Sequence, residues 1–328
     1  MFYTPEKFNS EQPVLSRYIL NLIKSQKFPS GLLIYGENNA PLYETGMYIL
    51  QSLNCEKKSL ACSSCPSCMR FLHGIHPDCY IIDGEKKTIR KQDIDDLISH
   101  FELSSFETNH ISAYLIHRVE NITEEAINAL LKFLEEPREN LFAILTSANR
   151  ERVLPTILSR VEQMRVLSLD LAEVMKGVPS DISSDAYYVL SNLYYSEEKK
   201  KEVSLTKEFD LALNGACQVI EAVSKNQEVA LTLFNKVADP IKQAQKKSGF
   251  ETSKCYNYFY SSLVIAFSDL LNNKADSPFV KLLDSKDKKL TLKLAQALDF
   301  IQDCQAKMSA NLSFVLTLAQ LGKILEGH

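Results

Sequence analysis

The sequence predicts an α/β amino-terminal domain, a parallel sheet with helices on both faces, followed by all-α domains. Three observations lead there. Short, almost wholly apolar runs alternate with stretches of helical periodicity through the first half of the chain. Those runs are apolar at consecutive positions rather than at every second one, as strands covered on both faces are. From Asp170 onward the strand-like runs cease and long amphipathic stripes replace them.

Taken in order, Gly31-Leu-Leu-Ile-Tyr35 reads as the first strand and is followed by a helical stretch through Leu53. Tyr80–Asp83 is strand-like, and Gln92 to Leu103 has helical periodicity. Ser112–Ile116 is the next strand. Ala126, Ile127, Leu130, Leu131 and Leu134 then form one helical face that stops at Pro137. Leu141–Thr146 and Val161 to Leu167 supply the last two strands. In the second half Val178-Pro-Ser-Asp181 is a turn and Ser183 to Leu193 a helix, with a break near Glu202 to Lys207. Phe209, Ala212, Leu213, Ala216, Val219, Ile220 and Val223 make one core stripe. Phe259, Leu263, Phe267, Leu270 and Leu271 make a second, and Leu312 to Leu325 carries a third. The Lys199-Lys-Lys201 run, flanked by Glu197, Glu198 and Glu202, reads as a solvated helix end or loop. The aromatic run Tyr256-Asn-Tyr-Phe-Tyr260 suits either a core or an interface.

The chain has 328 residues, enough for two or three domains with separate cores. With 45% hydrophobic and 24% charged residues it belongs to the folded globular class. A net charge of −4 provides no global basic field, which favours a protein partner over direct nucleic-acid binding. No apolar run reaches the roughly 18 residues of a membrane helix, and the start lacks the basic and apolar regions of a signal peptide. A cytoplasmic location is expected.

Two segments carry chemistry. After the first strand, Gly36-Glu-Asn-Asn-Ala-Pro-Leu-Tyr43 stands where a phosphate-binding G-x-x-x-x-G-K-[ST] loop would stand. Its second glycine, lysine and hydroxyl are replaced by Pro41, Leu42 and Tyr43. Proline removes an amide donor, leucine removes the cation, and a phenol is badly placed for magnesium. An ordinary strand-to-helix turn explains the same residues. The second segment holds four of the eight cysteines, Cys55, Cys62, Cys65 and Cys68, spaced C-x6-C-x2-C-x2-C. Such thiolates suit a closed tetrahedral zinc site of structural type, with an iron–sulfur cluster as the alternative. His73 and His76 lie nearby and are not needed as ligands. Glu135 and Glu136 are adjacent on a helix and so do not face one another, which excludes a paired acid–base role.

Together these features resemble the family of bacterial DNA polymerase III delta-prime subunits, the stators of the sliding-clamp loader and relatives of the AAA+ proteins. The four-cysteine insert follows the loop helix, and His76-Pro-Asp78 opens the next strand. Asn128-Ala-Leu-Leu-Lys-Phe-Leu-Glu-Glu-Pro137 is similar to the family's N-x-L-L-K-x-L-E-E-P helix, and Leu154-Pro-Thr-Ile-Leu-Ser-Arg160 to its L-P-T-I-x-S-R-C segment. Val161 replaces that final cysteine. The likeness covers roughly residues 10 to 167; beyond them only helicity and length agree.

The resemblance implies a RecA-like AAA+ base domain over 1–167 with the zinc module at 55–68, a helical lid over 168–206 and a helical collar over 207–328. Where hydrolysing relatives carry magnesium-binding carboxylates after the third strand, this chain has His117 and Arg118. The implied role is therefore a subunit that does not hydrolyse ATP and is not expected to bind it, so that Gly36, Pro41, Leu42 and Tyr43 form a degenerate loop. Arg160, read alone, is a surface arginine near a helix end. Under the resemblance it is an arginine finger towards ATP on a neighbouring subunit. Ser159 would position its helix, and Ser147 and Asn149 would cap a loop. Structural zinc is the implied cofactor. Implied partners are ATPase motor and delta-type subunits in a hetero-pentamer, with the sliding clamp and primer–template DNA met indirectly and no membrane. The alternatives are a clamp-loader-type ATPase with an unusual phosphate loop, or a zinc-dependent nucleic-acid-binding protein.

Overall fold

The computed structural model describes residues 3–74, 78–103, 111–135, 141–168, 170–246, 249–274, 277–280, 288–307 and 313–327. His76, Pro77, Glu136, Pro137 and Leu312, which figure in the expectations above, lie outside the described residues. The chain forms two compact units, residues 1–169 and 170–328.

The first unit is built on a parallel sheet of five strands: β1 (Gly31–Tyr35), β2 (Cys79–Asp83), β3 (Ser112–His117), β4 (Leu141–Ser147) and β5 (Glu162–Arg165). Their spatial order is β2-β3-β4-β1-β5. Its helices are α1 (Pro5–Glu11), α2 (Pro13–Ser25), α3 (Leu42–Leu53), α4 (Pro66–Leu72), α5 (Lys91–Leu103), α6 (Glu124–Glu135) and α7 (Pro155–Leu158). Both faces of the three inner strands are covered, which is why β1, β3 and β4 read as unbroken apolar runs, whereas the edge strand β5 is polar and largely exposed. On one face Leu32, Ile34, Ala113, Leu115, Phe142 and Ile144 pack in a core with residues of α1 to α4. On the other, Leu33, Tyr114, Ile116, Ala143 and Leu145 pack with residues of α5 and α6. Successive strand residues thus alternate between two cores.

Strand order reverses between β1 and β4: the chain leaves β1 for β2 on one side, and leaves β4 for β5 on the other. That switch point opens a crevice at the carboxyl ends of β1 and β4, the usual ligand position in open α/β sheets. Tyr35 and Ser147 face each other there, and the Gly36 N–H donates to the Ser147 carbonyl at 3.2 Å.

The second unit is helical throughout the described residues. It contains α8 (Leu171–Val174), α9 (Ser184–Leu193), α10 (Glu197–Ser204), α11 (Lys207–Ser224), α12 (Val229–Thr232), a π-helical stretch Leu233–Ala238, α13 (Asp239–Gln245), α14 (Thr252–Leu271), α15 (Lys288–Lys307) and α16 (Phe314–Glu326). One continuous apolar core runs from Leu171 through α9, α11 and α14 to Leu325. Every residue of the stripe beginning at Phe209 is buried. Tyr256, Phe259 and Tyr260 are buried too, with Phe314 stacked on Tyr256 at 4.1 Å, so the aromatic run is core.

The lysine run departs from expectation. It lies inside α10, and the Lys200 side chain is only 2% exposed. Its Nζ sits 2.7 Å from Glu197 Oε1 and 4.9 Å from the centre of the Tyr187 ring. Helical spacing turns the middle lysine inward while Lys199 and Lys201 keep their charges towards Glu202 and Asp181. Charge content alone could not reveal which of three consecutive lysines faces the core.

Candidate functional site

The first unit brings the loop after β1 and the end of β3 together at the switch-point crevice. Gly36 is retained there for a steric reason: a Cβ on it would lie 2.8 Å from the Ala40 Cβ and 2.9 Å from the Val166 carbonyl oxygen. A phosphate-binding loop works by aiming several free amides at an anion. Here three of the loop's amides, those of Gly36, Ala40 and Leu42, are bonded within the protein. Ala40 N–H donates to the Glu37 carbonyl at 2.9 Å, Leu42 N–H to the Ala40 carbonyl at 2.7 Å, and Pro41 has none. The loop also carries a carboxylate, Glu37, which pairs with Arg165 at 3.1 Å. Leu42 is buried as the first residue of α3.

Opposite the loop, the end of β3 presents nitrogen where a magnesium site needs oxygen. His117 is 3% exposed. Its Nδ1 is 2.7 Å from Thr146 Oγ1 and its Nε2 is 3.2 Å from Glu85 Oε2. The Thr146 hydroxyl already accepts from the Arg118 N–H at 3.0 Å. Arg118 follows with φ at 57°, in the left-handed region, and its Nη1 reaches back 3.2 Å to Asn38 Oδ1 in the loop. Glu120 lies 3.7 Å from Arg118 and accepts the Ala148 N–H at 2.9 Å. Tyr43 packs edge-on against His117. Burial raises its phenol above the ordinary range, with the Asp83 carboxylate adding to this and Lys86 opposing it. Sequence alone pointed to His117 and Arg118. It missed Asn38 and Thr146, which no motif marks; the β3–β4 pairing sets Thr146 beside the end of β3, and the β1–β4 pairing brings the loop that carries Asn38 to the same crevice.

The four cysteines also converge. The sulfur atoms of Cys55, Cys62, Cys65 and Cys68 all lie within 4.8 Å of one another. A tetrahedral zinc with bonds of about 2.3 Å has sulfur–sulfur edges of about 3.8 Å, so this donor set fits such an ion. Lys58 and Ser63, at φ of 48° and 52°, make the reversals that turn the chain back on itself. The Ser64 hydroxyl donates to Cys62 Sγ at 3.4 Å, and the Cys68 N–H to Cys65 Sγ at 3.4 Å. Burial pushes the Cys62 thiol up, but hydrogen bonds from Ser64 and the Cys65 amide outweigh it and bring the group down to about 6. Cys55 and Cys68 are raised, chiefly by burial. With Leu60, Ala61 and Phe71 the module packs into the core that holds Tyr48 and Phe8. A bound metal would cross-link it; all four positions are filled by protein, leaving none for substrate. His73 is exposed at the end of α4.

Arg160 stands apart from both features. It lies just before β5, whose Glu162 pairs with Leu32, near the amino end of β1. The loop after β1 is at the other, carboxyl end, across roughly 13 Å of strand. Arg160 Nη1 donates to the Thr156 carbonyl at 2.7 Å and to Ser159 Oγ at 3.3 Å, and Nη2 pairs with Glu135 Oε1. Ser147 Oγ accepts the Asn149 N–H at 3.1 Å, the loop-capping role expected of Ser147, whereas the Asn149 side chain does not cap the turn that follows it.

Residues 11–170 match the family model described as DNA polymerase III, delta subunit. This region is similar to that family. Curated relatives point the same way. The DNA polymerase III subunit delta' of Bacillus subtilis is 27% identical over 206 residues, covering 62% of this chain and 62% of the relative. The delta' subunit of Pseudomonas aeruginosa is 31% identical over 135 residues, 40% of this chain and 41% of that one. The Escherichia coli subunit tau is 30% identical over 128 residues, 38% of this chain and 20% of its own length. The chain thus spans less than two thirds of the length of each of these relatives. A solved DNA polymerase III gamma subunit-related protein from Thermotoga maritima superposes over 97% of this chain and 99% of its own. At 18% identity and a TM-score of 0.43 that superposition carries no argument. The family model and the two delta' relatives agree on a likeness to DNA polymerase III delta-prime subunits. Among the described residues no helix is long and apolar enough to cross a membrane.

Proposed function

We propose that this protein is a non-hydrolysing subunit of a bacterial sliding-clamp loader that holds the assembly's geometry and supplies Arg160 in trans to ATP on a neighbouring subunit. The observation that carries the reading is the separation of the two halves of the chemistry. The degenerate loop sits at the carboxyl ends of the strands, whereas Arg160 sits at the amino end of β5 and cannot serve its own subunit's crevice. The bonded amides of Gly36, Ala40 and Leu42, the proline at 41 and the His117–Arg118 pair argue against hydrolysis in this chain. In this reading residues 1–167 are the AAA+ base, with zinc held at Cys55, Cys62, Cys65 and Cys68, residues 168–206 the lid and 207–328 the collar. Motor and delta-type subunits are the partners in a cytoplasmic hetero-pentamer, and the clamp and primer–template DNA are met through them.

The test has two parts. Titration calorimetry of ATP with magnesium into the purified chain should give no detectable heat at millimolar nucleotide. In the reconstituted complex, Arg160→Ala should lower ATP turnover at the site it serves by about 1,000-fold or more, the scale known for arginine fingers. Tight nucleotide binding by the chain alone would instead favour an ATPase with an unusual loop. An Arg160→Ala complex with wild-type activity would remove the finger.

A further inference from the structure

Three acceptors from this chain converge on the Arg160 guanidinium: the Thr156 carbonyl, Ser159 Oγ and the Glu135 carboxylate. Two of them are local, within α7 and the residues that end it. The third comes from α6, an element far away in sequence. We propose that Glu135 is a positioning residue for Arg160, fixing the direction in which the guanidinium is presented to a neighbouring subunit's nucleotide. The inference rests on the in-trans reading of Arg160 given above and deepens it.

The geometry is that of an anchored donor rather than a masked one. A guanidinium has five N–H groups in a rigid plane. Nη1 makes two of the bonds and Nη2 one, so Nε–H and one Nη2–H find no acceptor among the described residues. The Ser159 hydroxyl donates its own proton to the Thr156 carbonyl at 3.1 Å, which leaves its lone pairs to receive Nη1. The Arg160 side chain is 33% exposed and that of Glu135 52%. The cation is therefore accessible, yet its long side chain is confined to one orientation. The free donors match two oxygens of an incoming phosphate, and holding them in place beforehand reduces the ordering needed at the moment of reaction. Both residues also stand at the same edge of the sheet, Glu135 ahead of β4 and Arg160 ahead of β5. An exposed ion pair contributes little to folding, so removing the carboxylate should leave the fold intact and disturb only the presentation of the arginine.

The experiment compares wild type, Glu135→Ala, Glu135→Gln, Arg160→Ala and the Glu135→Ala/Arg160→Ala double variant in the reconstituted clamp-loader complex. Steady-state ATPase is measured with clamp and primer–template DNA present. Glu135→Ala should lower kcat about tenfold with the KM for ATP within about twofold of wild type and an unchanged melting temperature. Glu135→Gln, which still accepts a hydrogen bond, should recover most of the loss. The double variant should be no slower than Arg160→Ala alone, because both changes act through one group. A Glu135→Ala complex as fast as wild type, or faster, beside an impaired Arg160→Ala complex would overturn the positioning role and leave the finger standing. If Arg160→Ala itself has no effect, the finger reading fails and the inference with it.

Discussion

Replacing Cys62 with serine should empty the four-cysteine module of metal while sparing the core on which it rests. Of the four cysteines, Cys62 is the only partly exposed one; the others are buried. The apolar contacts of Leu60, Ala61 and Phe71 with the core around Tyr48 remain when its sulfur is lost. Cys62 is also the ligand whose thiol is drawn down to about 6, so it supplies thiolate most readily at neutral pH. A serine hydroxyl gives neither softness nor charge. If the wild-type module is saturated at about 1,000 times its dissociation constant, metal binding stabilises the fold by about 4 kcal/mol. For a unit of residues 1–169, each kcal/mol moves the midpoint by about 2–4 °C. Loss of the metal should therefore lower the melting temperature of this unit by about 8–16 °C. Elemental analysis of protein purified under reducing conditions, with calorimetry at fixed free zinc, checks both quantities. Wild-type protein without zinc, or a Cys62→Ser variant with the same metal content and melting temperature, would refute the argument. Visible absorbance near 400 nm with iron in the sample would transfer the site to an iron–sulfur cluster.

Gly36→Ala should destabilise the first unit by about 1–3 kcal/mol, because the new methyl meets the Ala40 Cβ at 2.8 Å and the Val166 carbonyl at 2.9 Å. Urea unfolding gives the value, and a change below about 0.5 kcal/mol would mean the loop relaxes freely. Lys200→Met, in contrast, should shift stability by less than about 1 kcal/mol. It keeps the buried volume, removes a buried ammonium, and leaves Glu197 in solvent with the Tyr187 hydroxyl 3.1 Å away. A loss above about 2 kcal/mol in the same assay would show the buried ion pair to be a net stabiliser.

Much of the molecule was legible because its signals are local. A strand covered on both faces has to be apolar at consecutive positions, so β1, β3 and β4 were visible as such. The C-x6-C-x2-C-x2-C spacing brings sulfurs together across short turns, and the structure gathers all four. The stripe from Phe209 to Val223 is one buried helical face. The Lys199-Lys-Lys201 run was misread because three consecutive charges look alike until a helix turns one of them, Lys200, towards the core.

By itself, the sequence determined the fold class, the four-cysteine cluster and the absence of a phosphate-loop glycine and lysine after β1, since each depends on residue identity and short spacing. The tertiary structure alone decided three further matters. Arg118 closes on Asn38 across 80 residues of chain because β1 and β3 flank β4 in the sheet. Arg160 is placed at the sheet edge away from its own crevice because parallel pairing fixes the direction of β5. Glu135 meets Arg160 because α6 and α7 both end at that edge. These are long-range pairings set by strand order and helix packing, and no periodicity or spacing within a single segment encodes them.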